Sequence, residues 1–320
     1  MRKLRLPLVR PSTLDFLREA RRTPDYSFFD WLHGTVYARW PYLYIGIGVG
    51  EHPLARRFVP WFQRFVRLQR WLFPPPDLAA SHPPNTAPRP TFADTYHGKV
   101  VPLDAARQLV MVNEDVRLPD LESVIPYPKA RAIILQNPDH IVALQCPCRS
   151  ARANPCLPLD VCLIVGEPFA SMVVEHHPDR SRWISPAEAA GILQAEDERG
   201  HVHHAFFKDA MLGRFYAICN CCACCCGAMQ SHQRGTPMLA SSGYLSYVDE
   251  SLCIGCAACE EYCQFEALTV PNGTAVVDEQ RCMGCGVCVS KCDQGALSLE
   301  RALQKGEPLE ILDIMARVVR

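Results

Sequence analysis

The sequence predicts an α+β chain with three parts: a central cysteine-rich domain of mixed α/β structure, a small duplicated unit behind it, and a basic helical segment in front. Short apolar runs alternate with helical patterns over residues 96–241. A 23-residue stretch starting at Val248 repeats itself 29 residues later, at Val277. An arginine-rich amphipathic pattern spans residues 56–73.

The composition favours a globular protein of a reducing compartment. The chain has 320 residues, 48% hydrophobic residues and a net charge of −1, which suits two or three domains. Its eighteen cysteines all lie between residues 146 and 292 and are too sparse for a disulfide scaffold. The N-terminus lacks the apolar core of a secretory signal, and no apolar run approaches the ~18 residues of a spanning helix. We therefore expect a cytoplasmic protein whose clustered thiols are metal ligands or redox groups.

The basic segment forms the first part, over residues 1–73, with 13 Lys/Arg against 5 Asp/Glu. At about 100° per residue, residues 56–73 place aromatic side chains on one helix face and arginines on the other. Such a helix fits the inner membrane surface as a peripheral contact, a groove on a protein partner, or ordinary packing with its arginines in solvent. No second feature supports nucleic-acid binding. The expected contact residues are Phe58, Trp61, Phe62, Phe65, Arg64, Arg67 and Arg70.

A proline-rich linker over residues 74–95 separates this segment from the central domain, because its prolines exclude a regular helix or central strand. In the central domain, apolar runs at 141–145, 162–166 and 214–218 predict buried strands, and the first and third run directly into cysteines. Ser185 and Pro186 start a predicted helix that Gly200 ends. Residues 242–302 form the duplicated unit, and 303–320 predict an amphipathic C-terminal helix.

Each copy of the duplicated unit contains the run Cys-x2-Cys-x2-Cys-x3-Cys. Three thiolates spaced in this way wrap a tight loop around one iron–sulfur cube, while the fourth points across to a second cube. Gly255 and Gly284 lie where the loop needs a permissive backbone. The cysteines of the two runs are Cys253, Cys256, Cys259 and Cys263, then Cys282, Cys285, Cys288 and Cys292.

This unit resembles the bacterial-type dicluster ferredoxin domain, which carries two [4Fe-4S] clusters, over residues 242–301. The resemblance implies one cluster on Cys253, Cys256, Cys259 and Cys292, and another on Cys282, Cys285, Cys288 and Cys263. Gln264 and Asp293 replace the proline that usually follows the fourth cysteine of each run. The alternative is two zinc sites, each held by four cysteines. The duplicated four-cysteine run is far more specific than the paired cysteines of a zinc site, and it favours iron–sulfur clusters.

Ten cysteines remain, in the sequences CPCRSARANPCLPLDVC and CNCCACCC of the central domain. Neighbouring strands would deliver both groups to one sheet edge, where one or two further iron–sulfur clusters could form. Zinc and a catalytic or persulfide-forming thiol site are the alternatives. Consecutive side chains point in different directions, so the thiols of 219–226 cannot all reach one cluster in a regular loop. The tentative further ligands are Cys146, Cys148, Cys156, Cys162, Cys219, Cys221, Cys222 and Cys225.

This central pattern is similar to multi-cysteine [4Fe-4S] proteins of anaerobic bacteria, which carry CPCR and cysteine-dense motifs before a dicluster domain. The resemblance implies no activity. Arg149, beside Cys148, either screens cluster charge, binds an anion or makes an ordinary surface salt bridge. His176, His177, His201, His203 and His204 are either ligands or proton-handling groups, or belong to polar surface loops.

We expect an iron–sulfur electron-transfer protein that passes single low-potential electrons to redox partner proteins. The dicluster unit has 3 Lys/Arg against 9 Asp/Glu over residues 243–302, which would suit a basic partner. The alternative is an oxidoreductase subunit whose central cluster or thiols act on a small substrate. A third possibility is a redox adaptor that the basic helix docks on a membrane.

Overall fold

The computed structural model of the chain describes residues 10–50, 57 and 92–318. Residues 74–91 of the predicted linker lie outside these ranges, as do residues 1–9 and 319–320. So does the predicted membrane or partner contact, made by Phe58, Trp61, Phe62, Phe65, Arg64, Arg67 and Arg70. In the part of the chain that is described, no helix has both the length and the apolarity needed to cross a membrane.

The helices are mostly short and surround a central sheet. They are α1 Pro11–Arg22, α2 Phe28–Arg39, α3 Pro41–Gly48, α4 Phe92–Thr95, α5 Leu103–Met111, α6 Pro147–Ser150, α7 Phe169–His176, α8 Pro186–Glu198, α9 Gly227–Gln233, α10 Ala258–Glu261, α11 Val287–Ser290 and α12 Ile311–Val318. A 3-10 turn occupies Leu303–Lys305.

Most strands belong to the central domain, and the last four lie in the C-terminal part. They are β1 Tyr96–Val100, β2 Val116–Leu118, β3 Ile133–Leu144, β4 Cys162–Glu167, β5 Ser181–Ile184, β6 Val202–Lys208, β7 Arg214–Cys221, β8 Leu239–Ala240, β9 Tyr244–Val248, β10 Leu268–Thr269, β11 Val276–Val277 and β12 Leu297–Arg301. The three predicted strands overlap β3, β4 and β7, although β3 begins eight residues before the predicted start.

The central sheet has eight strands in the order β2-β3-β4-β7-β6-β1-β8, with β5 paired to β3. Its named strand pairs are antiparallel except for β1 with β8. This curled, largely antiparallel sheet with helices around it confirms the predicted α+β class. Because β4 is antiparallel to both β3 and β7, the ends of β3 and β7 and the start of β4 share one edge.

The predicted helix starting after Ser185 is α8. The Ser185 hydroxyl accepts a hydrogen bond from the Glu188 amide at 3.1 Å, as an N-cap should. The Glu188 carboxylate pairs with Arg182. At the other end Gly200 has φ +79°, the left-handed conformation that ends helices and favours glycine.

The N-terminal helices are part of the main core. Phe16 of α1 is fully buried and meets Phe169 of α7 edge to face, with ring centroids 6.0 Å apart. Tyr37 of α2 is buried, and its hydroxyl lies 2.8 Å from that of Tyr216 on β7. One hydrophobic core therefore runs from these helices through the sheet to residues of the dicluster unit such as Phe265.

The dicluster unit packs on the central domain through specific polar contacts. The Gln264 side chain accepts from the Ala223 amide at 2.9 Å and donates to the Gly200 carbonyl at 3.1 Å. Lys291 donates to the Glu198 carbonyl. Gln264, which stands in place of the usual proline, thus connects the cysteine-rich segment 219–226 of the central domain to the dicluster unit.

Candidate metal centres

The eight cysteines of the dicluster unit form two quartets. The structure brings the first quartet together around a cavity of about 360 Å³, and the second around another cavity of about 360 Å³. In each quartet the fourth cysteine comes from the other sequence repeat. The first quartet is Cys253, Cys256, Cys259 and Cys292, and the second is Cys263, Cys282, Cys285 and Cys288.

Glycine is required in both cysteine loops. Gly255 has φ +69°, and a Cβ there would lie 2.3 Å from the Gly273 carbonyl oxygen. Gly284 has φ +63°, and a Cβ there would lie 2.2 Å from the Tyr244 carbonyl oxygen. Any other residue would therefore have a strained backbone at these positions, and its Cβ would clash with the facing backbone of Gly273 or Tyr244.

Backbone amides point at three of the quartet sulfurs. Such N–H donors stabilise the thiolate form and tune the potential of a cluster held by it. The donor and acceptor pairs are Ala275 to Cys253 at 3.4 Å, Ala267 to Cys263 at 3.2 Å and Ala296 to Cys292 at 3.3 Å.

Burial works against thiolate formation in the second quartet. It raises the pKa of Cys288 to about 11, against a hydrogen bond with the Ser246 hydroxyl, and it raises the pKa of Cys285 well above its usual value. Positive charge supplied from within the cavity would therefore favour the thiolate form of Cys285 and Cys288. Iron provides that charge, so the donor set and the enclosed volume both fit a cysteine-ligated cluster.

The central domain gathers its ten cysteines at the shared edge of β3, β4 and β7. Cys162 begins β4 and lies directly opposite Cys219 of β7. Cys146 and Cys148 follow the end of β3, where Pro147 starts α6. The antiparallel pairing therefore carries residues more than 50 positions apart in sequence to one end of the sheet.

Six of these ten thiols form a closed ring, which we call the six-thiol ring. Each of the six sulfurs interacts with two others of the set, so that the contacts return to their starting point. In order around the ring the members are Cys146, Cys148, Cys226, Cys221, Cys219 and Cys162.

The ring borders a partly open, apolar cavity of about 830 Å³, more than twice the volume at either quartet. Aromatic side chains form the opposite wall, including Tyr37, Tyr96, Phe169 and Tyr216. The hydroxyls of Tyr37 and Tyr216 bond to each other, so the wall facing the thiols is mainly carbon. Water and charge are poorly accommodated in such a space unless a charged group neutralises the thiolates.

The ring thiols differ in acidity. Hydrogen bonds from Cys162 and Cys221 lower the pKa of Cys219 to about 6. Contact with the Cys148 thiol, together with burial, raises the pKa of Cys146 to about 12. The protein alone thus supports thiolate at some ring positions and thiol at others, and a bound metal centre would convert the whole ring to ligands.

Arg149 supplies a buried positive charge directly behind the ring. Its side chain is about 1% exposed and lies 2.6 Å from the Glu196 carboxylate. It also donates to the carbonyls of Pro158 at 2.6 Å and Asn220 at 3.0 Å. Of the alternatives that the sequence left open for Arg149, the ordinary surface salt bridge is wrong, because its partner Glu196 comes from the inner face of α8 and is buried.

Glu196 remains ionised in this setting. Burial alone would raise its pKa, but a hydrogen bond from His201 at 2.7 Å and the charge of Arg149 hold the pKa below its usual value. The Cys146 sulfur accepts a hydrogen bond from the backbone amide of Arg149 at 3.5 Å. The Arg149 guanidinium also lies close enough to Cys146 and Cys222 to interact electrostatically with both sulfurs. Such a charge stabilises anionic sulfur.

The histidines that the sequence singled out do not form a metal-binding group among the described residues. His203 contacts the Asn220 side chain at 2.6 Å, and His204 is buried between strands. His176 meets the Thr13 hydroxyl at 3.1 Å, and His177 meets the Ala38 carbonyl at 2.7 Å. His176, His177 and His203 each have a hydrogen-bond partner, whereas both ring nitrogens of the buried His204 have none among the described residues. All four are partly or fully buried, so they do not belong to the exposed surface loops that the sequence also allowed.

The remaining four thiols form a second, separate cluster, which we call the four-thiol group. Their sulfur atoms all lie within 4.8 Å of one another. Cys224 is 3.1 Å from Cys156 and 3.7 Å from Cys225. Among the described residues, no other set of three or more potential ligands is this close together. The group consists of Cys156, Cys222, Cys224 and Cys225.

Sequence reasoning left Cys224 and Cys226 out of the tentative ligands. The structure places Cys226 in the six-thiol ring and Cys224 in the four-thiol group. Cys221 and Cys222, though consecutive, face different sets, because strand neighbours point to opposite sides. The turn after β7 then brings Cys224 and Cys225 to the side of Cys222, which no local sequence signal indicates.

Comparison with known proteins identifies the C-terminal part. A family model for the 4Fe-4S dicluster domain matches residues 252–301, which are 50 of the 320 residues. The chain therefore carries a ferredoxin-type dicluster domain, a domain that binds [4Fe-4S] clusters. No curated protein matches the chain.

Proposed function

We propose that the protein transfers single electrons between a surface partner and an iron–sulfur cluster buried in the central domain. The observation that carries this proposal is the closed ring of six thiols on an apolar cavity, in a chain that also carries a dicluster domain. Bound clusters supply one-electron redox chemistry at low potential. The residues around them exclude water, hold the thiolates and set their charge.

The proposed ligand sets follow the groups in the structure. The first and second quartets each hold one [4Fe-4S] cluster. The six-thiol ring holds at least one further cluster and offers two more thiolates than a single cubane needs. This number and the larger cavity support a centre bigger than a cubane, or a cubane with two spare thiols.

The contact between domains supports electron exchange across it. The second quartet packs on the main core, since Cys263, Cys282 and Cys285 all contact it. Gln264, next to Cys263, accepts a hydrogen bond from the backbone amide of Ala223, which lies between the ring members Cys221 and Cys226 in sequence. The second quartet is thus the one held against the central domain, and the hydrogen bonds of Gln264 keep that distance constant.

The first quartet faces solvent and provides the proposed docking surface. Cys256 is exposed, and Ile254 and Leu252 beside it are 65% and 47% exposed. Exposed apolar side chains around an electron-transfer site, within an acidic domain, suit a transient complex with a basic redox partner. We propose that electrons enter or leave at this end.

The cavity also favours a second candidate function, an oxidoreductase subunit that acts on a small apolar substrate. The cavity is apolar and larger than the cavity at either quartet, and apolar concave sites with a few polar groups are where small molecules bind. The Tyr37 and Tyr216 hydroxyls would be the nearest proton donors to a bound molecule on that side. Under this alternative, the cluster occupies only part of the cavity.

The test removes one ring thiol. Cys148→Ser protein, prepared without oxygen, should lose the iron and labile sulfide of the central cluster while keeping the reduced EPR signals of the dicluster domain. Cys224→Ser is the matched control, because it removes a neighbouring thiol outside the ring and should leave cluster iron unchanged. Unaltered iron in Cys148→Ser would refute a cluster on the ring. Substrate analogues that perturb the central signal would favour the oxidoreductase alternative.

We also propose that residues 56–73 bring the protein to a membrane surface or a protein partner in the cytoplasm of an anaerobic cell. Deleting residues 1–73 would damage the core, since Phe16 and Tyr37 are buried in it. Replacing Arg64, Arg67 and Arg70 by glutamate avoids that problem. The unaltered protein should float with anionic liposomes, and this variant should not. If the unaltered protein does not float either, membrane contact is ruled out.

A further inference from the structure

We propose that the four-thiol group binds a single tetrahedral metal ion, with zinc the ion that the ligands fit, separate from every iron–sulfur cluster. The geometry carries this inference. Four thiolates around one zinc ion at about 2.3 Å stand about 3.8 Å from one another. The group has sulfur pairs at 3.1 and 3.7 Å, and all its pairs lie within 4.8 Å.

A cubane does not suit this spacing. An iron atom stands between each thiolate and the centre of the cube, so the four thiolates are held much farther apart than around one ion. The two quartets of the dicluster unit show how differently cysteines are spaced around a cluster cavity in the same chain. The two quartets surround cavities of about 360 Å³, and neither brings even three sulfurs within the 4.8 Å limit that the four-thiol group meets.

The loop that carries three of the four thiols is held by its neighbours. The amides of Cys225 and Cys226 both donate to the Cys222 carbonyl, at 3.3 and 3.0 Å, which closes the turn. Gln230 donates to the carbonyls of Ala223 and Cys224, at 3.2 and 2.9 Å. Side-chain supports of this kind fix the ligands before a metal ion binds.

Arg152 supports the same loop and supplies positive charge. Its guanidinium donates to the Cys225 carbonyl at 3.0 Å and to the Gln230 side chain at 2.8 Å. Four thiolates and one divalent ion leave a net charge of −2, which a neighbouring guanidinium offsets. Cys222 and Cys225 are each 2% exposed, whereas Cys224 is exposed, so an ion can enter from the solvent side.

The consequence is structural. Cys156 belongs to the loop after α6, and the other three thiols follow β7, 66 or more residues later. One ion would pin together the two segments that also carry the six-thiol ring. Zinc has no redox chemistry of its own, so the ion would shape the cluster pocket without exchanging electrons.

The test measures zinc, iron and acid-labile sulfide in anaerobically purified full-length protein and in two variants, Cys156→Ser and Cys224→Ser. We expect about one zinc per chain in the parent and none in either variant, with iron and sulfide unchanged. Cys148→Ser is the reciprocal control and should lose iron and sulfide but keep zinc. Cobalt in place of zinc should give the visible bands of a tetrahedral thiolate site.

These measurements distinguish a single zinc ion from a cubane and from a disulfide at the four-thiol group. Loss of one zinc ion at constant iron and sulfide supports the proposal. A fall in sulfide together with about four irons would show a cubane here and overturn it. A Cys156–Cys224 disulfide in metal-free protein would overturn it as well. Iron confined to the dicluster domain would contradict the proposed function and leave the zinc result unaffected.

Discussion

Replacing Arg149 by methionine should destabilise the central domain strongly. The guanidinium makes hydrogen bonds to Glu196 and to the carbonyls of Pro158 and Asn220. Methionine fills similar volume but offers no donor. Glu196, about 1% exposed, would lose its main buried counter-charge.

The expected loss is about 3 kcal/mol. Removing one partner of a buried ion pair costs about 3–5 kcal/mol. The low end applies because Glu196 keeps two partners, Arg199 at 3.0 Å and His201 at 2.7 Å. At about 2–4 °C per kcal/mol for a domain of this size, the melting temperature should fall by about 6–12 °C. The lost charge beside Cys146 should also lower the iron content.

The assay is anaerobic thermal unfolding followed by circular dichroism, with iron measured on the same samples. Arg182→Met is the control, since Arg182 pairs with Glu188 and Asp160 at the surface, and it should cost at most about 1 kcal/mol. The double variant Arg149→Met/Glu196→Gln should recover part of the loss, because no buried charge is left alone. Equal small shifts for the buried and surface variants would refute this reasoning.

Three further predictions concern the domain contact and pH. Gln264→Ala removes both bridging hydrogen bonds and should lower the melting temperature and expose the loop of residues 222–226 to proteolysis, as a time course of digestion would show. Gly200→Ala should cost more than Gly213→Ala in denaturant unfolding, because both have positive φ but only at Gly200 does a Cβ meet Tyr262, at 2.5 Å. Burial lowers the pKa of Lys208 to about 8, so the unfolded chain binds the extra proton and stability should rise from pH 8 towards 10. Lys208→Met should flatten that slope, and an unchanged slope would contradict the assignment.

The dicluster domain was predictable because its determinants are local. Cysteine spacing, Gly255 and Gly284 all lie within short loops, and the repeat of the pattern at a fixed offset excludes chance. The strands β3, β4 and β7 were predictable for the same reason, since each is a short apolar run. The α+β class followed from how such elements alternate.

The division of the central cysteines was not predictable, because it depends on contacts across the fold. Cys162 meets Cys219 through strand register, and Cys156 meets Cys224 across 68 positions of sequence. Arg149 is buried only because Glu196, 47 positions later, comes from the inner face of a helix. Sequence spacing carries no information on such pairs, so the ring and the four-thiol group emerge only in three dimensions.

The most direct test of the central claim is the amount of iron and acid-labile sulfide per chain in anaerobically prepared protein, with low-temperature EPR of the reduced form. We expect at least about twelve irons with matching sulfide, eight in the dicluster domain and the rest on the six-thiol ring. The reduced protein should also show a third EPR signal, from the cluster on the six-thiol ring. About eight irons and only the dicluster signals would contradict a cluster in the central domain.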